Sequence, residues 1–75
     1  MNLTDFTANF ADCLHRTPAT QITPSTEFKK IEEWSSIMAL IVIAMIDADY
    51  NKVLTADDIL AATTIKDLFE ILQKK

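Results

Sequence analysis

The sequence predicts an all-α fold: a four-helix bundle with a long first loop and a short third helix. Three observations predict it. Apolar residues recur at helical spacing near the N-terminus, at Leu3, Phe6, Phe10 and Leu14. Thr55 and Thr64 each stand three residues ahead of an aspartate, Asp58 and Asp67, which marks two helix starts. Glycine is absent, so every turn falls to Asn, Asp, Ser, Thr or Pro, and a glycine-rich phosphate loop is excluded.

The first helix covers residues 3–14, with Asp5, Asn9 and Asp12 elsewhere on its surface. Residues 15–34 contain Pro18, Pro24 and a Thr/Ser-rich stretch, and read as the long loop. Phe28, Ile31 and Trp34 punctuate that loop and predict that it packs onto the core. The second helix covers 36–50. Val42 and the isoleucines raise a strand as the alternative, but length and the Met, Ala and Leu content favour a helix. Asn51 suits a left-handed C-terminal cap, a position usually held by glycine. A short helix follows from the Thr55 cap to about Ala62. The last runs near 65–73 and buries Ile65, Leu68, Phe69 and Leu72, with Lys74 and Lys75 complementing its C-terminus. No repeat is present, and residues 1–75 read as one domain.

The second helix is apolar almost all round. At about 100° per residue, Leu40, Ile43, Ile46 and Tyr50 fall on one stripe, the expected core face. With Ile59, Ile65, Leu68 and Phe69 they are expected to form the core and a pocket for an apolar tail. Ile37, Ile41, Met45 and Ala48 form another stripe far round the helix, with Met38 beside it. A helix apolar on all sides is buried or binds something. Part of this second stripe is expected to lie under Phe28 and Ile31. Met38 and Ile41 are expected to stay accessible.

Composition narrows the functional classes. A core of 75 residues is marginal, so most apolar residues are needed for packing. Hydrophobic residues make up 49%, which excludes an extended disordered chain. The net charge of -4 argues against nucleic acid and for basic protein surfaces as partners. The one cysteine cannot form an internal disulfide, and no signal peptide is recognised, so a cytoplasmic location is expected. The apolar run Ile37–Ile46 would be about 15 Å long as a helix, against about 30 Å for a bilayer core, so no membrane span is expected.

Catalytic and metal-ligating candidates are few. Cys13 and His15 are two residues apart, so on a helix they point to different sides. No second Cys or His completes a metal site or a Cys-His pair. Cys13 reads as a packing residue and His15 as a helix end, and no catalytic residue is assigned. Asp47, Asp49 and Asn51 have the spacing of the first three ligands of a calcium loop, with Asp58 at its twelfth position. Lys52 stands where that loop needs glycine, and Asp58 is shorter than the usual glutamate. A solvated helix end, a loop and a cap describe the stretch better, and no metal site is assigned.

The serine pair Ser35-Ser36 opens the second helix. Serine is a favoured N-cap, and by that measure the pair is unexceptional. A phosphodiester on Ser36 would nevertheless sit where free backbone N–H groups and the helix dipole favour an anion. The surrounding residues carry more. Glu33-Trp34-Ser35-Ser36-Ile37, followed by Leu40, Ile43, Ile46 and Tyr50, then Leu54-Thr55-Ala56-Asp57-Asp58 and Thr64-Ile65-Lys66-Asp67-Leu68, resemble the acyl carrier proteins. The resemblance to this phosphopantetheine-bearing family spans essentially the whole chain.

That resemblance implies a bundle of acyl-carrier type and a single carrier domain over residues 1–75. It implies a non-enzymatic role: acyl or aminoacyl groups held as thioesters on a 4′-phosphopantetheine arm, donated by coenzyme A and attached to Ser36. Fatty acid and polyketide pathways share the scaffold. The implied partners are a phosphopantetheinyl transferase and acyl or aminoacyl ligases, synthases and transferases, docking on the second helix near Met38, Ile41 and Asp47. A monomer is expected. Similar carriers read Trp-Asp-Ser-Leu, and their aspartate helps the transferase and its metal engage the serine. Here Ser35 replaces it. They also tend to place acids near 38 and 41, where this chain has Met38 and Ile41. Two rivals remain open: an unmodified helical interaction module, and a lone calcium loop over 47–58.

Overall fold

The computed structural model describes residues 2–75. Among them are four α-helices: α1 (Leu3–Asp12), α2 (Ser36–Tyr50), α3 (Ala56–Ala61) and α4 (Ile65–Gln73). Two short 3₁₀ turns, Ala19–Gln21 and Phe28–Lys30, interrupt the long loop between α1 and α2. No helix among the described residues is long and apolar enough to cross a membrane.

Side chains close the helix ends, at α2, α3 and α4 as the sequence predicts. Asn2 caps α1 by accepting the Asp5 N–H at 2.8 Å. Thr55 and Thr64 form reciprocal capping boxes with Asp58 and Asp67 at the starts of α3 and α4. Asn51 ends α2 in the left-handed region at φ 53° and donates its N–H to the Asp47 carbonyl at 3.0 Å. The long loop packs as expected. Phe28 is fully buried, and Ile31 and Trp34 lie against the core. Phe10 links the loop to α1, stacking on Trp34 at 6.1 Å and meeting Phe28 at 5.9 Å. The loop also supplies acceptors to the start of α4. Ile65 N–H donates to the Thr26 carbonyl at 3.2 Å, and Lys66 N–H to the Pro24 carbonyl at 2.9 Å. Two donors that an α-helix leaves unpaired are thereby satisfied.

The core combines Phe6 and Phe10 of α1, Phe28 of the loop, Ile65, Leu68, Phe69 and Leu72 of α4, and one face of α2. That face differs from the expected one. Met38, Val42 and Ile46 are the buried residues of α2, and Leu40 is 65% exposed. Ile43 and Tyr50 are half-buried. At about 100° per residue, Met38, Val42 and Ile46 span some 80°, and Leu40 lies nearly opposite their centre. The physical reason is the composition of α2: apolar residues on every side leave its rotation to be set by the surfaces that receive it. Two smaller differences follow from packing. The first helix ends at Asp12, leaving Cys13 and Leu14 buried beyond it. Asn9 is half-buried and donates to the Tyr50 hydroxyl at 2.6 Å.

Candidate functional site

Ser35 and Ser36 divide the work at the head of α2. Ser35 has extended backbone, and its Oγ accepts the Met38 N–H at 3.2 Å while its carbonyl accepts the Ala39 N–H at 3.0 Å. Ser36 is the first helical residue and is exposed. Among the described residues its Oγ has no hydrogen-bond partner, so the hydroxyl is free to react. The Ser36 and Ile37 N–H groups lie in the first turn, ahead of the amides that Ser35 takes up. They leave the partial positive charge of a helix N-terminus beside that hydroxyl.

Ser36 opens onto an apolar groove of about 400 Å³. Ala39, Leu40 and Ile43 form one wall, recurring with Ser36 at the spacing of a single helix face. Ala56, Ile59 and Leu60 of α3 form the other. Leu40 and Leu60 stand exposed at the rim, and Ile59 is buried. Serine contributes the only polar side chain of this lining, and no lining residue is charged. Leu40, expected in the core, therefore belongs to the surface next to Ser36, while half-buried Ile43 packs against the core and also lines the groove. Lys29 secures the far wall, its ammonium donating to the Ile59 and Leu60 carbonyls at 3.2 Å each.

The approach to the site is anchored just ahead of Ser35. Trp34 stacks on Phe10 and meets the Phe28 ring edge-on at 5.1 Å. The Glu33 carboxylate accepts four hydrogen bonds from the segment that follows α1. Oε2 takes the His15 N–H at 3.0 Å. Oε1 takes the Arg16 N–H at 3.0 Å, the Thr17 N–H at 2.9 Å and the Thr17 hydroxyl at 2.8 Å. Desolvation pushes this carboxyl up, but the hydrogen bonds from His15, Arg16 and Thr17 outweigh it and hold the pKa at about 2. Glu33 was assigned no role from the sequence. Its partners lie 16 to 18 residues away, beyond the reach of any local pattern.

The remaining candidates fall elsewhere. Met38, expected to be accessible for docking, is 5% exposed and belongs to the core. Ile41 is half-buried and Asp47 exposed. Cys13 is buried and its thiol pKa is raised, chiefly by desolvation and further by the charges of Asp12 and Asp49. Such a thiol is unreactive. Of the calcium-loop residues, Asp47 and Asp49 are still within α2, and Asp58 Oδ2 accepts the Thr55 N–H at 2.9 Å and pairs with Lys75 at 2.8 Å. That carboxylate is committed to a helix cap and an ion pair.

A phosphorylated arm fits what is present at Ser36: a free hydroxyl, uncommitted N–H groups, an uncharged first turn of α2 and an apolar groove alongside. A family model described as a phosphopantetheine attachment site matches residues 5–72. No curated protein and no solved structure matches the chain.

Proposed function

The chain belongs to the phosphopantetheine-attachment family of carrier domains, which hold 4′-phosphopantetheine covalently and are not enzymes, and we propose that Ser36 bears the arm. The observation that carries this assignment is the free, exposed Ser36 hydroxyl at the N-terminus of α2, beside Ser35, whose own hydroxyl is taken by the helix cap. In loading, Ser36 Oγ forms the new bond to phosphorus and gives up its proton. The bond from that phosphorus to the nucleotide of coenzyme A breaks, and the nucleotide leaves. When bound, the arm supplies a terminal thiol that holds acyl or aminoacyl groups as thioesters. The role of the chain would be to present that thiol: the Ser36 and Ile37 N–H groups would be available to the phosphodiester, and the groove along Leu40, Ile43, Ile59 and Leu60 offers apolar surface beside Ser36.

The proposed partners are a phosphopantetheinyl transferase and the ligases, synthases and transferases that charge and use the thiol. They dock across α2 near Ile41 and Asp47, with exposed Ile37, Leu40 and Leu60 in the place first assigned to Met38. The proposed pathway is fatty acid or polyketide synthesis. Residues 1–75 form one monomeric, cytoplasmic carrier domain in this proposal.

Incubation with coenzyme A, magnesium and a broad-specificity transferase, followed by intact mass measurement, tests the assignment. The mass should rise by one phosphopantetheinyl group in the native chain and in Ser35→Ala, and stay unchanged in Ser36→Ala. A gain that survives Ser36→Ala would move the site. No gain with any transferase would favour an unmodified interaction module.

A further inference from the structure

The four hydrogen bonds on Glu33 have a consequence for Ser36. Glu33 stands three residues before the serine and holds the main chain of His15, Arg16 and Thr17, the segment that leaves α1. Three successive N–H groups converge on one carboxylate, as in a backbone anion nest. Next to it, Trp34 lies on Phe10 of α1, and its own N–H donates to the Ile31 carbonyl at 2.9 Å. Ser35 follows with an extended backbone and begins α2. The chain from Glu33 to Ser36 is therefore tied to the end of α1 at two adjacent residues, one polar and one aromatic. Ser36 and Ile37 are exposed and Ser35 reaches only within its own helix, so the other anchor of the first turn of α2 is Met38, buried in the core.

We infer that Glu33 is a positioning residue for loading, a latch that fixes the head of α2 against the end of α1 and so sets where Ser36 stands. The inference rests on Ser36 as the arm site, but the latch itself has a readout that needs no loading. The Met38 and Ala39 amides, held by Ser35, report opening of the first turn of α2. With the latch broken they should exchange with solvent faster.

The test compares the native chain with Glu33→Ala, Glu33→Gln and, as a control for general destabilisation, Thr64→Ala, which removes the cap of α4. Hydrogen exchange and the rate of loading by a transferase with coenzyme A are measured well below every melting temperature. Glu33→Ala should speed exchange at Met38 and Ala39 about tenfold, leaving Leu68 and Phe69 unchanged. It should lower kcat/KM for loading roughly tenfold to a hundredfold. Glu33→Gln keeps one acceptor oxygen and should fall between, which keeps the test open if the alanine variant does not fold. Thr64→Ala should lower the melting temperature and load normally.

Unchanged exchange at Met38 and Ala39 would overturn the latch, whatever happens to loading. Faster exchange with normal loading, or equal slowing in Thr64→Ala, would overturn its positioning role. A native chain that is never loaded would refute Ser36 as the arm site, and exchange would still decide the latch.

Discussion

Alanine at Met38 and alanine at Leu40 should differ sharply, because the two side chains point to opposite sides of α2. Met38 is 5% exposed and packs in the core, while Leu40 is 65% exposed at the rim of the groove. Truncating a buried methionine costs about 2–5 kcal/mol, the loss of transfer energy plus the cavity left behind. An exposed substitution stays within about 0.5 kcal/mol. Neither change touches the main-chain bond from the residue 38 amide to Ser35 Oγ, so the cap of α2 is common to both. At ~0.05–0.15 kcal/mol per residue, a chain of this length has only about 4–11 kcal/mol of stability to lose. In a domain this small each kcal/mol moves Tm by roughly 4–8 °C. Met38→Ala should therefore lower Tm by at least about 8 °C, and Leu40→Ala by no more than about 4 °C. Thermal unfolding followed by circular dichroism reads both. Equal losses, or the larger loss at Leu40, would mean that α2 is rotated from the orientation described and that the groove beside Ser36 is not formed by Leu40.

Two further outcomes follow from the site. Ser35→Asp keeps an equally good N-cap, so stability should change by less than about 0.5 kcal/mol. It also restores the acid of similar carriers, so loading of Ser36 should speed up in a transferase assay; an unchanged rate would show that the missing acid has no bearing on loading. Glu33 has a folded-state pKa of about 2 against an ordinary 4.5, so its contribution is fully present above pH 4.5 and lost as pH falls towards 2. Asp58 and Asp67 are depressed in the same direction, Asp58 chiefly by Lys75 and Asp67 chiefly by the Thr64 N–H. Tm should fall through that window, and less steeply in Glu33→Gln than in the native chain. Parallel curves for the two would refute the hydrogen-bonded role of the carboxylate.

The amino-acid sequence by itself determined several helix ends that depend on close neighbours along the chain. Thr55 with Asp58, Thr64 with Asp67, and Asn51 mark helix ends because capping acts over three or four residues, and all three hold in the structure. The helix start at Ser36 was legible for the same reason, because Ser35 caps it three residues ahead of the Met38 amide. The rotation of α2 was not legible. Ile37, Leu40, Ile41, Val42 and Ile46 are near equivalents in hydrophobicity, so only the shape of the α1, α4 and loop surfaces decided that Met38, Val42 and Ile46 go inward and Leu40 outward. Nor was Glu33, an ordinary charged residue until the fold brings three amides from beyond α1 onto its carboxylate. Local hydrogen bonding is written in adjacent residues; the choice between equivalent apolar faces and the pairing of distant polar groups is made only when the helices pack.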